Sequence, residues 1–365
     1  ELDTLLNIPY GQALDYQGNM QTLLLDGFIP KSNLDSLSLR PIVVMIHGGG
    51  FVSGSKESRR QECVALAQRG FAAFSINYRL GFDPGGESLA VYRAQQDAHA
   101  AVRWVVDQSS SMGMDTSWLF IAGSSAGAIT GHNLVYSDQS EWEQEYPGIE
   151  SLLGSLDTSS NNLTNTFTFK GVFNNWGNVR IASVQTDELL PQVAFHGALD
   201  GTLNIDTLNG AMGSRALHDT LIANGICSDL TVEPLGGHGI YRSPQGAIMR
   251  AARASCFFKS LFCNNCTDYY ATDSIPATCS ILNSTPEIEA EIEMYSVYPN
   301  PFSGNFKIAG LHGDEDLMLY DVQGKMVGEG KNSTDLNTES LPKGLYMLAI
   351  RRGEKVQVVR VMKGF

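Results

Sequence analysis

Short apolar runs alternate with longer amphipathic stretches over the first two thirds of the chain. Residues 41–46, 71–77 and 119–122 carry mostly consecutive apolar side chains, a pattern typical of strands buried on both faces. Residues 89–108 instead place alanine and valine at helical spacing. Since strands that alternate with helices form a mostly parallel sheet with helices on both faces, this part is predicted to be an α/β domain.

The alternation stops after a helix that is predicted to end near Phe262. Residues 267–293 are rich in Ser, Thr, Pro, Asn and Glu, a composition typical of linkers. Beyond them the pattern is that of short strands, with two hairpins predicted at residues 318–327 and 345–362. The predicted organisation is an α/β domain over residues 1–280, a linker over 281–293 and a small all-β, sandwich-like domain over 294–365.

One predicted strand leads into a sharp turn and then a helix. The turn, Gly123-Ser124-Ser125-Ala126-Gly127, is a Gly-x-Ser-x-Gly motif in the strand–turn–helix context of a nucleophile elbow. Because glycine lacks a Cβ, backbone and helix can crowd against a strained serine at this point. Ser125 is therefore the candidate nucleophile, placed at a helix N-terminus that favours developing negative charge. The alternative is a Gly/Ser turn without chemistry.

Other chemically useful residues follow other predicted strands, and the carboxyl ends of parallel strands form a ligand crevice. A serine hydroxyl needs a base, which His238 can supply, while Asp200 would hold the imidazole in one tautomer. Serine, aspartate and histidine also stand in the chain order of an α/β-hydrolase triad. The N–H groups of Gly49, Gly50 and Ala126 are predicted to form an oxyanion hole.

Other residues are alternatives for the catalytic acid or are assigned structural or substrate-binding roles. Asp206 is the main rival to Asp200, which is favoured because it directly follows a strand through His-Gly-x-x-Asp. His47 is expected to pack beneath the glycine loop, His196 to order the turn before the acid, and His132 to point away from the crevice. Trp176 is predicted to line the substrate pocket, with a core position as the alternative. Polar residues 131–168 form either a cap over the site or a surface excursion.

Residues 10–262 resemble the carboxylesterase and lipase group of α/β-hydrolases. The matching motifs are His-Gly-Gly-Gly-Phe at 47–51, Asn-Tyr-Arg-Leu-Gly at 77–81, Asp97 with Ala-Ala-Val-Arg-Trp-Val at 100–105, Ala-Gly-Ser-Ser-Ala-Gly at 122–127, and His196-Gly197 with Asp200. The resemblance implies ester hydrolysis through an acyl-enzyme, without a cofactor. Residues 131–168 match nothing in the family pattern, so they are the least informative about the substrate.

The end of the chain resembles a second family, the C-terminal sorting domain of the type IX secretion system in Bacteroidetes. The matching stretches are Tyr-Pro-Asn-Pro-Phe at 298–302, Leu-Tyr-Asp-Val-Gln-Gly-Lys at 319–325, Leu-Pro-Lys-Gly-Leu-Tyr at 341–346 and the basic end at 360–363. This resemblance implies that the secretion machinery exports the protein across the outer membrane, usually with removal of the domain. The alternative is a carbohydrate-binding β module. This alternative is weaker, because few aromatic residues are suited to stacking on sugar.

Composition narrows the choice of partner and compartment. The formal net charge of −14 argues against nucleic acid and against an anionic membrane surface as partners. No apolar run reaches the roughly 18 residues that span a bilayer. Because the chain starts at Glu1 without Met, a leader is expected to have been removed or left out. Six cysteines are expected to form disulfides in an exported protein rather than a zinc site, with the pairing left open among 15 possibilities.

These features together predict a secreted serine carboxylesterase that uses no metal. Its expected substrates are short-chain, aryl or plant polysaccharide side-chain esters. A peptidase or acyltransferase on the same triad is the alternative enzyme, and a non-catalytic binding protein on a hydrolase scaffold is the alternative outside enzymes.

Overall fold

The computed structural model describes residues 1–31, 39–271, 295–322, 325–331, 336–353 and 355–364. The chain divides into two compact units, Glu1–Ser284 and Thr285–Phe365. The predicted linker over residues 281–293 lies outside the described residues. No helix in the described part is long and apolar enough to cross a bilayer.

A nine-stranded sheet forms the centre of the first unit. The strands of this unit are β1 (Leu2–Leu14), β2 (Met20–Pro30), β3 (Arg40–Ile46), β4 (Ala72–Ile76), β5 (Met114–Ser124), β6 (Phe169–Asn175), β7 (Asn178–Arg180), β8 (Gln192–Gly197), β9 (Thr207–Leu208), β10 (Ala211–Gly213), β11 (Ser228–Glu233) and β12 (Tyr269–Ala271). The order in the sheet is β1-β2-β4-β3-β5-β6-β8-β11-β12. The first two pairs, β1 with β2 and β2 with β4, are antiparallel, and all the others are parallel.

Helices cover both faces of this sheet. They are α1 (Arg60–Ala67), α2 (Glu87–Asp107), α3 (Ala126–Tyr136), α4 (Gln139–Glu145), α5 (Ile149–Leu153), α6 (Ser214–Ala223) and α7 (Pro244–Phe262), with a 3-10 turn at Lys56–Arg59 before α1. Side chains of β3 alternate between two cores, as expected for a strand buried on both faces. Ile42, Val44 and Ile46 pack with α2 and α3, whereas Val43 and Met45 pack with α1 and α7. The predicted α/β fold is therefore confirmed.

The structure adds strands that the pattern did not predict. β1 is mostly exposed along the sheet edge, so its sequence lacks a continuous apolar signal. β12 has three residues and pairs in parallel with β11, so the interpretation of residues 267–293 as linker is wrong at its beginning. A strand this short has no period to recognise in a sequence.

The polar insertion after α3 packs on the domain as short helices. Trp142 of α4 is buried, meets the ring of Tyr92 edge-on at 5.3 Å and donates from its Nε1–H to Gln95 Oε1 at 2.7 Å. Nearby, β7, β10 and β9 form a separate three-stranded antiparallel sheet. The insertion is thus anchored to α2 by an aromatic contact and a hydrogen bond.

A disulfide closes the far edge of the central sheet. Cys227, the residue directly before β11, is bonded to Cys266, which precedes β12. Cys256 is disulfide-bonded as well, whereas Cys63 is a free buried thiol and Cys263 a free exposed one. The expectation of disulfides is therefore confirmed, although not for every cysteine. Within the described ranges, no group of three or more His, Cys, Asp or Glu side chains is arranged to hold a metal ion.

The second unit is built from short antiparallel strands. They are β13 (Ser296–Tyr298), β14 (Lys307–Ala309), β15 (Asp316–Asp321), β16 (Met326–Gly330), β17 (Gly344–Arg352) and β18 (Lys355–Lys363). β13 pairs with β14, and the other four form a sheet in the order β16-β15-β17-β18. Both predicted hairpins are present, and their inward side chains form a core of their own around Leu317, Leu348 and Val361.

Candidate active site

Ser125 lies on a strained turn between β5 and α3. Its backbone has φ 54° and ψ −123°, a conformation that is rare for a residue with a side chain. The Ser125 N–H donates to Asn175 O of β6 at 2.9 Å, which fixes the turn at the carboxyl edge of the sheet. A Cβ on Gly123 would lie 2.2 Å from Gly127 O, and one on Gly127 would lie 2.3 Å from Ile46 O. Both flanking glycines are therefore required by close backbone contacts.

A continuous chain of hydrogen bonds joins this serine to a histidine and an aspartate. Ser125 Oγ lies 2.8 Å from His238 Nε2, and His238 Nδ1 lies 2.7 Å from Asp200 Oδ2. Because a carboxylate can only accept, Nδ1 carries the proton and Nε2 is free to accept from the serine hydroxyl. The Asp200 carboxylate is buried, whereas the imidazole of His238 is 27% exposed. The three residues predicted from chain order thus meet in one place.

The Asp200 carboxylate is held by several donors. Its Oδ1 accepts from the N–H groups of Thr202 at 2.8 Å and Leu203 at 2.9 Å. Burial by itself would raise the pKa of Asp200, but hydrogen bonds from His196, Leu203, His238 and Thr202 together bring that pKa well below its ordinary value. Asp200 is therefore ionised at neutral pH.

The rival acid has a different partner. Asp206 is half exposed and receives two hydrogen bonds from Arg215, at 2.7 Å to one oxygen and 2.6 Å to the other. These bonds lower the pKa of Asp206. The structure brings Asp200, not Asp206, to the imidazole of His238.

The glycine loop runs against the serine turn. A Cβ on Gly48 would lie 3.1 Å from the Cβ of Ser125. Gly49 and Gly50 have φ of 124° and 61°, and Gly49 O accepts from the N–H groups of Val52 and Ser53. The N–H groups of Gly49, Gly50 and Ala126 have no acceptor among the described residues. Three unused donors therefore lie on the loop and the helix N-terminus that flank Ser125.

His47 supports this loop from below, as expected. It is fully buried, stacks on the Tyr78 ring at 4.5 Å and has its Nδ1 2.7 Å from Gly48 O. Burial lowers the pKa of His47 to about 4, so the ring is neutral at pH 7. The Tyr78 hydroxyl donates to the carbonyl of His47 at 3.1 Å, which holds the loop at its root.

His132 is likewise buried, and its two ring nitrogens contact Asn178 O and Gln192 Oε1. These partners lie outside the hydrogen-bond chain of the triad, so the position of His132 suits a structural role.

A cavity of about 500 Å³ is lined by residues that neighbour the parts of the site in sequence, although Ser125, Asp200 and His238 are not among its lining residues. Phe51 after the glycine loop, Ile129 on the serine helix, and Thr202 and Leu203 beside the acid all line it. The insertion supplies the opposite wall, where Arg180 lies 5.0 Å above the Trp142 ring and is paired with Glu145. The cavity therefore combines apolar walls with charged and amide groups.

Trp176 lies in the core. Its side chain is 5% exposed, packs among residues of the α1–α7 side of the sheet and carries the Arg250 guanidinium 5.0 Å over its ring. It is not among the residues that line the cavity. A position at a strand end does not determine which way a side chain points, and its burial here favours the core alternative over the predicted substrate contact.

Comparisons with known families follow the division of the chain. Residues 25–199 match the model of BD-FAE, an α/β-hydrolase esterase family. Residues 296–363 match the secretion system C-terminal sorting domain. Both resemblances inferred from the motifs are confirmed by these matches.

Curated relatives include several esterases. The juvenile hormone esterase of Heliothis virescens is 36% identical over 113 residues, which are 28% of this chain and 19% of that protein. The phenmedipham hydrolase of Pseudarthrobacter oxydans is 37% identical over 27% of this chain and 20% of that protein. The ethyl acetate hydrolase of Pseudomonas putida is 29% identical over 32% of this chain and 36% of that protein. The matched segments span about a fifth to a third of each of these relatives.

Solved structures show the same fold at low identity. A truncated carbohydrate esterase from gut microbiota superimposes with a TM-score of 0.50 at 18% identity, over 71% of this chain and 95% of that one. Thermogutta terrifontis esterase 2, phosphoramylated by tabun, gives a TM-score of 0.50 at 18% identity, over 73% of this chain and 96% of that one. The first unit therefore has the α/β-hydrolase fold.

Proposed function

We propose that this chain, an α/β-hydrolase in fold, is a serine carboxylesterase that works through an acyl-enzyme on Ser125. The observation that carries the proposal is the hydrogen-bond chain from Ser125 through His238 to Asp200. It lies on a strained turn at the carboxyl edge of the sheet, with unused N–H donors on both sides. This combination provides a nucleophile, a base, a fixed tautomer and a place for negative charge.

Acylation begins when His238 Nε2 takes the Ser125 proton as Oγ attacks the carbonyl carbon of the ester. The negative charge that develops on the carbonyl oxygen is stabilised by the N–H groups of Gly49, Gly50 and Ala126. As the tetrahedral intermediate collapses, His238 gives the proton to the departing alcohol. Water then repeats the sequence on the acyl-enzyme and releases the acid, so the serine is regenerated without any cofactor.

The cavity lined by Phe51, Ile129 and Leu203 supports the proposed substrate class. A volume of about 500 Å³ accommodates a short acyl group, an aromatic ring or a sugar unit. Among its lining residues, Phe51 and Ile129 can contact apolar groups of a substrate, and Arg180 and Thr202 can bind its hydroxyl groups. Short-chain, aryl or plant polysaccharide side-chain esters are accordingly the proposed substrates. The solved carbohydrate esterase and the ethyl acetate hydrolase among the similar proteins support this range.

Export is proposed from the second unit. Because residues 296–363 match a secretion sorting domain, the type IX secretion machinery is the proposed partner. The enzyme would then act at the cell surface or outside the cell. A disulfide in the first unit suits an oxidising compartment.

Replacement of the nucleophile tests the proposed activity. Ser125→Ala should abolish hydrolysis of p-nitrophenyl acetate, with a loss of several orders of magnitude on the scale of about 10⁶ known for triad serines. The thermal midpoint should stay near that of the wild type, since the serine side chain is only partly buried. Activity within tenfold of the wild type in a folded Ser125→Ala protein would refute the assignment.

A further inference from the structure

A second histidine, His196, contacts the acid of the triad. It lies near the end of β8, and its imidazole is fully buried. Its Nε2 is 3.2 Å from Asp200 Oδ2 and 2.9 Å from Leu203 O, while its Nδ1 is 2.7 Å from Ser214 Oγ. We propose that His196 is a positioning residue of the esterase reaction, whose Nε2–H holds the Asp200 carboxylate in place for His238. This inference rests on the proposed function.

The groups around His196 determine the direction of its hydrogen bonds. The N–H of Gly177 can only donate, and it lies 2.8 Å from Asn174 Oδ1. The amide nitrogen of Asn174 therefore faces Ser214 Oγ, to which it donates at 3.1 Å. The Ser214 hydroxyl has a second acceptor site, so this bond alone does not orient its proton. Nε2 of His196 faces only acceptors, Leu203 O and Asp200 Oδ2, and therefore carries a proton, which leaves Nδ1 to accept from the Ser214 hydroxyl.

That Nε2–H faces two acceptors, the carbonyl of Leu203 and the carboxylate of Asp200. Asp200 Oδ1 accepts from the N–H groups of Thr202 and Leu203. Its Oδ2 accepts from His238 Nδ1 at 2.7 Å and lies 3.2 Å from His196 Nε2, whose shorter contact is the one with Leu203 O. Without His196, Oδ2 would be held by His238 alone. The aspartate and the catalytic imidazole could then shift together relative to Ser125.

The Nε2–H of His196 also stabilises the turn of Thr202 and Leu203, whose N–H groups bind Asp200. His196 binds the carbonyl of Leu203, whose own N–H binds Asp200 Oδ1. The next residue, Gly197, packs so closely that a Cβ there would lie 2.3 Å from the carbonyl oxygens of Gly236 and Gly237. These two glycines immediately precede His238. The His-Gly-x-x-Asp motif therefore brings the acid and the approach to the base against one strand end.

Two variants of His196 distinguish hydrogen-bond donation at the Nε2 position from side-chain packing. In His196→Gln the amide nitrogen can reach the place of Nε2, whereas in His196→Asn the shorter amide reaches only the place of Nδ1. With p-nitrophenyl acetate, H196N should lower kcat by about ten- to a hundredfold with KM within about threefold, because a catalytic group held loosely loses near-attack geometry. H196Q should recover to within about fivefold of the wild type. Inactivation by a fluorophosphonate, which needs an activated serine, should slow in parallel with kcat.

His218 gives a matched control. It is buried, and its Nδ1 contacts Ser228 Oγ at 2.8 Å, a histidine–serine pair like that of His196, but outside the hydrogen-bond chain of the triad. H218N should lower the thermal midpoint and keep kcat within about twofold of the wild type. If H218N lowers kcat as much as H196N, or if H196N is as active as H196Q, His196 is structural only and the proposal is overturned.

Should H196N fail to fold, Ser214→Ala carries the test. Losing the hydroxyl that holds Nδ1 of His196 should loosen the imidazole and lower kcat by about two- to fivefold at constant KM. An unchanged kcat in S214A would overturn the proposal. These failures differ from failure of the proposed function, in which Ser125→Ala itself would keep the activity.

Discussion

At the scale of single residues, the two neighbouring carboxylates Asp200 and Asp206 show how contacts assign different roles to one residue type. Asp200 is buried and bonded to His238, whereas Asp206 is half exposed and paired with Arg215. The difference arises from the turn of Thr202 and Leu203, whose N–H groups bind Asp200 and not Asp206.

Substituting each aspartate should therefore have a different kinetic effect. Asp200→Asn should lower kcat by about 10⁴, because the amide no longer fixes the tautomer in which Nε2 of His238 accepts the serine proton. Asp206→Asn should leave kcat within tenfold of the wild-type value. Because Asp206 lines the cavity, the effect of this substitution should fall on KM instead. Steady-state kinetics on p-nitrophenyl esters measures both. A larger loss of kcat in D206N than in D200N would reverse the assignment.

The sequence predicted that Ser125, Asp200 and His238 lie close together, because each follows a strand whose carboxyl end the parallel sheet brings to one edge, and the structure joins them by hydrogen bonds. Their catalytic roles stay predictions. The sequence was not sufficient for residues whose roles depend on side-chain direction. Trp176 follows a strand in the same way, yet its ring packs beneath Arg250, a residue of the distant helix α7. The contact between His196 and Asp200 was also missed, since it depends on how the intervening turn folds back on β8.

At the scale of secondary-structure elements, the insertion after α3 contributes a fixed wall of the cavity. Its helix α4 begins with a capping box at Asp138 and is pinned to α2 through Trp142. Arg180, at the end of β7, lies between Trp142 and Glu145. Polar composition alone did not distinguish a cap from a surface excursion, because the anchoring depends on a single buried aromatic residue.

Removing this guanidinium should change substrate preference more than turnover of a small ester. Arg180→Ala is expected to alter the ratio of kcat/KM for p-nitrophenyl decanoate to that for the acetate by about three- to tenfold, the scale at which one pocket contact discriminates. Arg215→Ala, which breaks the ion pair with Asp206 and removes a guanidinium that is not among the cavity-lining residues, is the matched charge control for stability. An unchanged ratio in R180A would mean that the acyl group does not enter this cavity.

The disulfide is the second element-scale feature with a measurable consequence. The Cys227–Cys266 bond closes a loop of 39 residues, which corresponds to about 4 kcal/mol of stabilisation from restricting the unfolded chain. It also keeps β12 beside β11, where Ser228 N–H donates to Asp268 Oδ1 at 3.0 Å.

Cys227→Ser should therefore lower the thermal midpoint clearly, as should reduction of the wild type. The kcat of the folded enzyme should stay nearly constant, because the proposed catalytic residues lie on other loops. Calorimetry in the presence and absence of reductant measures the effect, and Cys263→Ser, which removes a free exposed thiol, is the control. Equal midpoints for C227S and C263S would show that the bond does not contribute.

At the scale of the whole molecule, the chain consists of two units with separate cores. The cores of the first unit gather side chains from its own strands and helices, and that of the second unit gathers side chains from β13 to β18. The change from alternating strands and helices to short hairpins predicted this difference in architecture. The sequence could not predict where the first unit ends, because β12 follows α7 within a stretch of linker-like composition.

The second unit is expected to serve export rather than catalysis. Every residue of the proposed catalytic machinery precedes residue 240, and residues 296–363 match a sorting domain. An enzyme truncated after Ser284, the last residue of the first unit, should keep the catalytic rate and the thermal midpoint of the hydrolase. In a host with type IX secretion it should accumulate in the periplasm, while the full chain reaches the surface or the medium.

Three measurements distinguish this role from its alternatives: turnover of p-nitrophenyl acetate, calorimetry, and fractionation of cells that express both forms. If the truncated enzyme unfolds or loses most of its turnover, the second unit is a structural partner of the hydrolase. If export persists but binding to an insoluble polysaccharide is lost, the unit acts as a carbohydrate-binding module. Retained catalysis with lost export is the only result that supports a sorting domain, because it shows that the second unit is needed for export and not for ester hydrolysis.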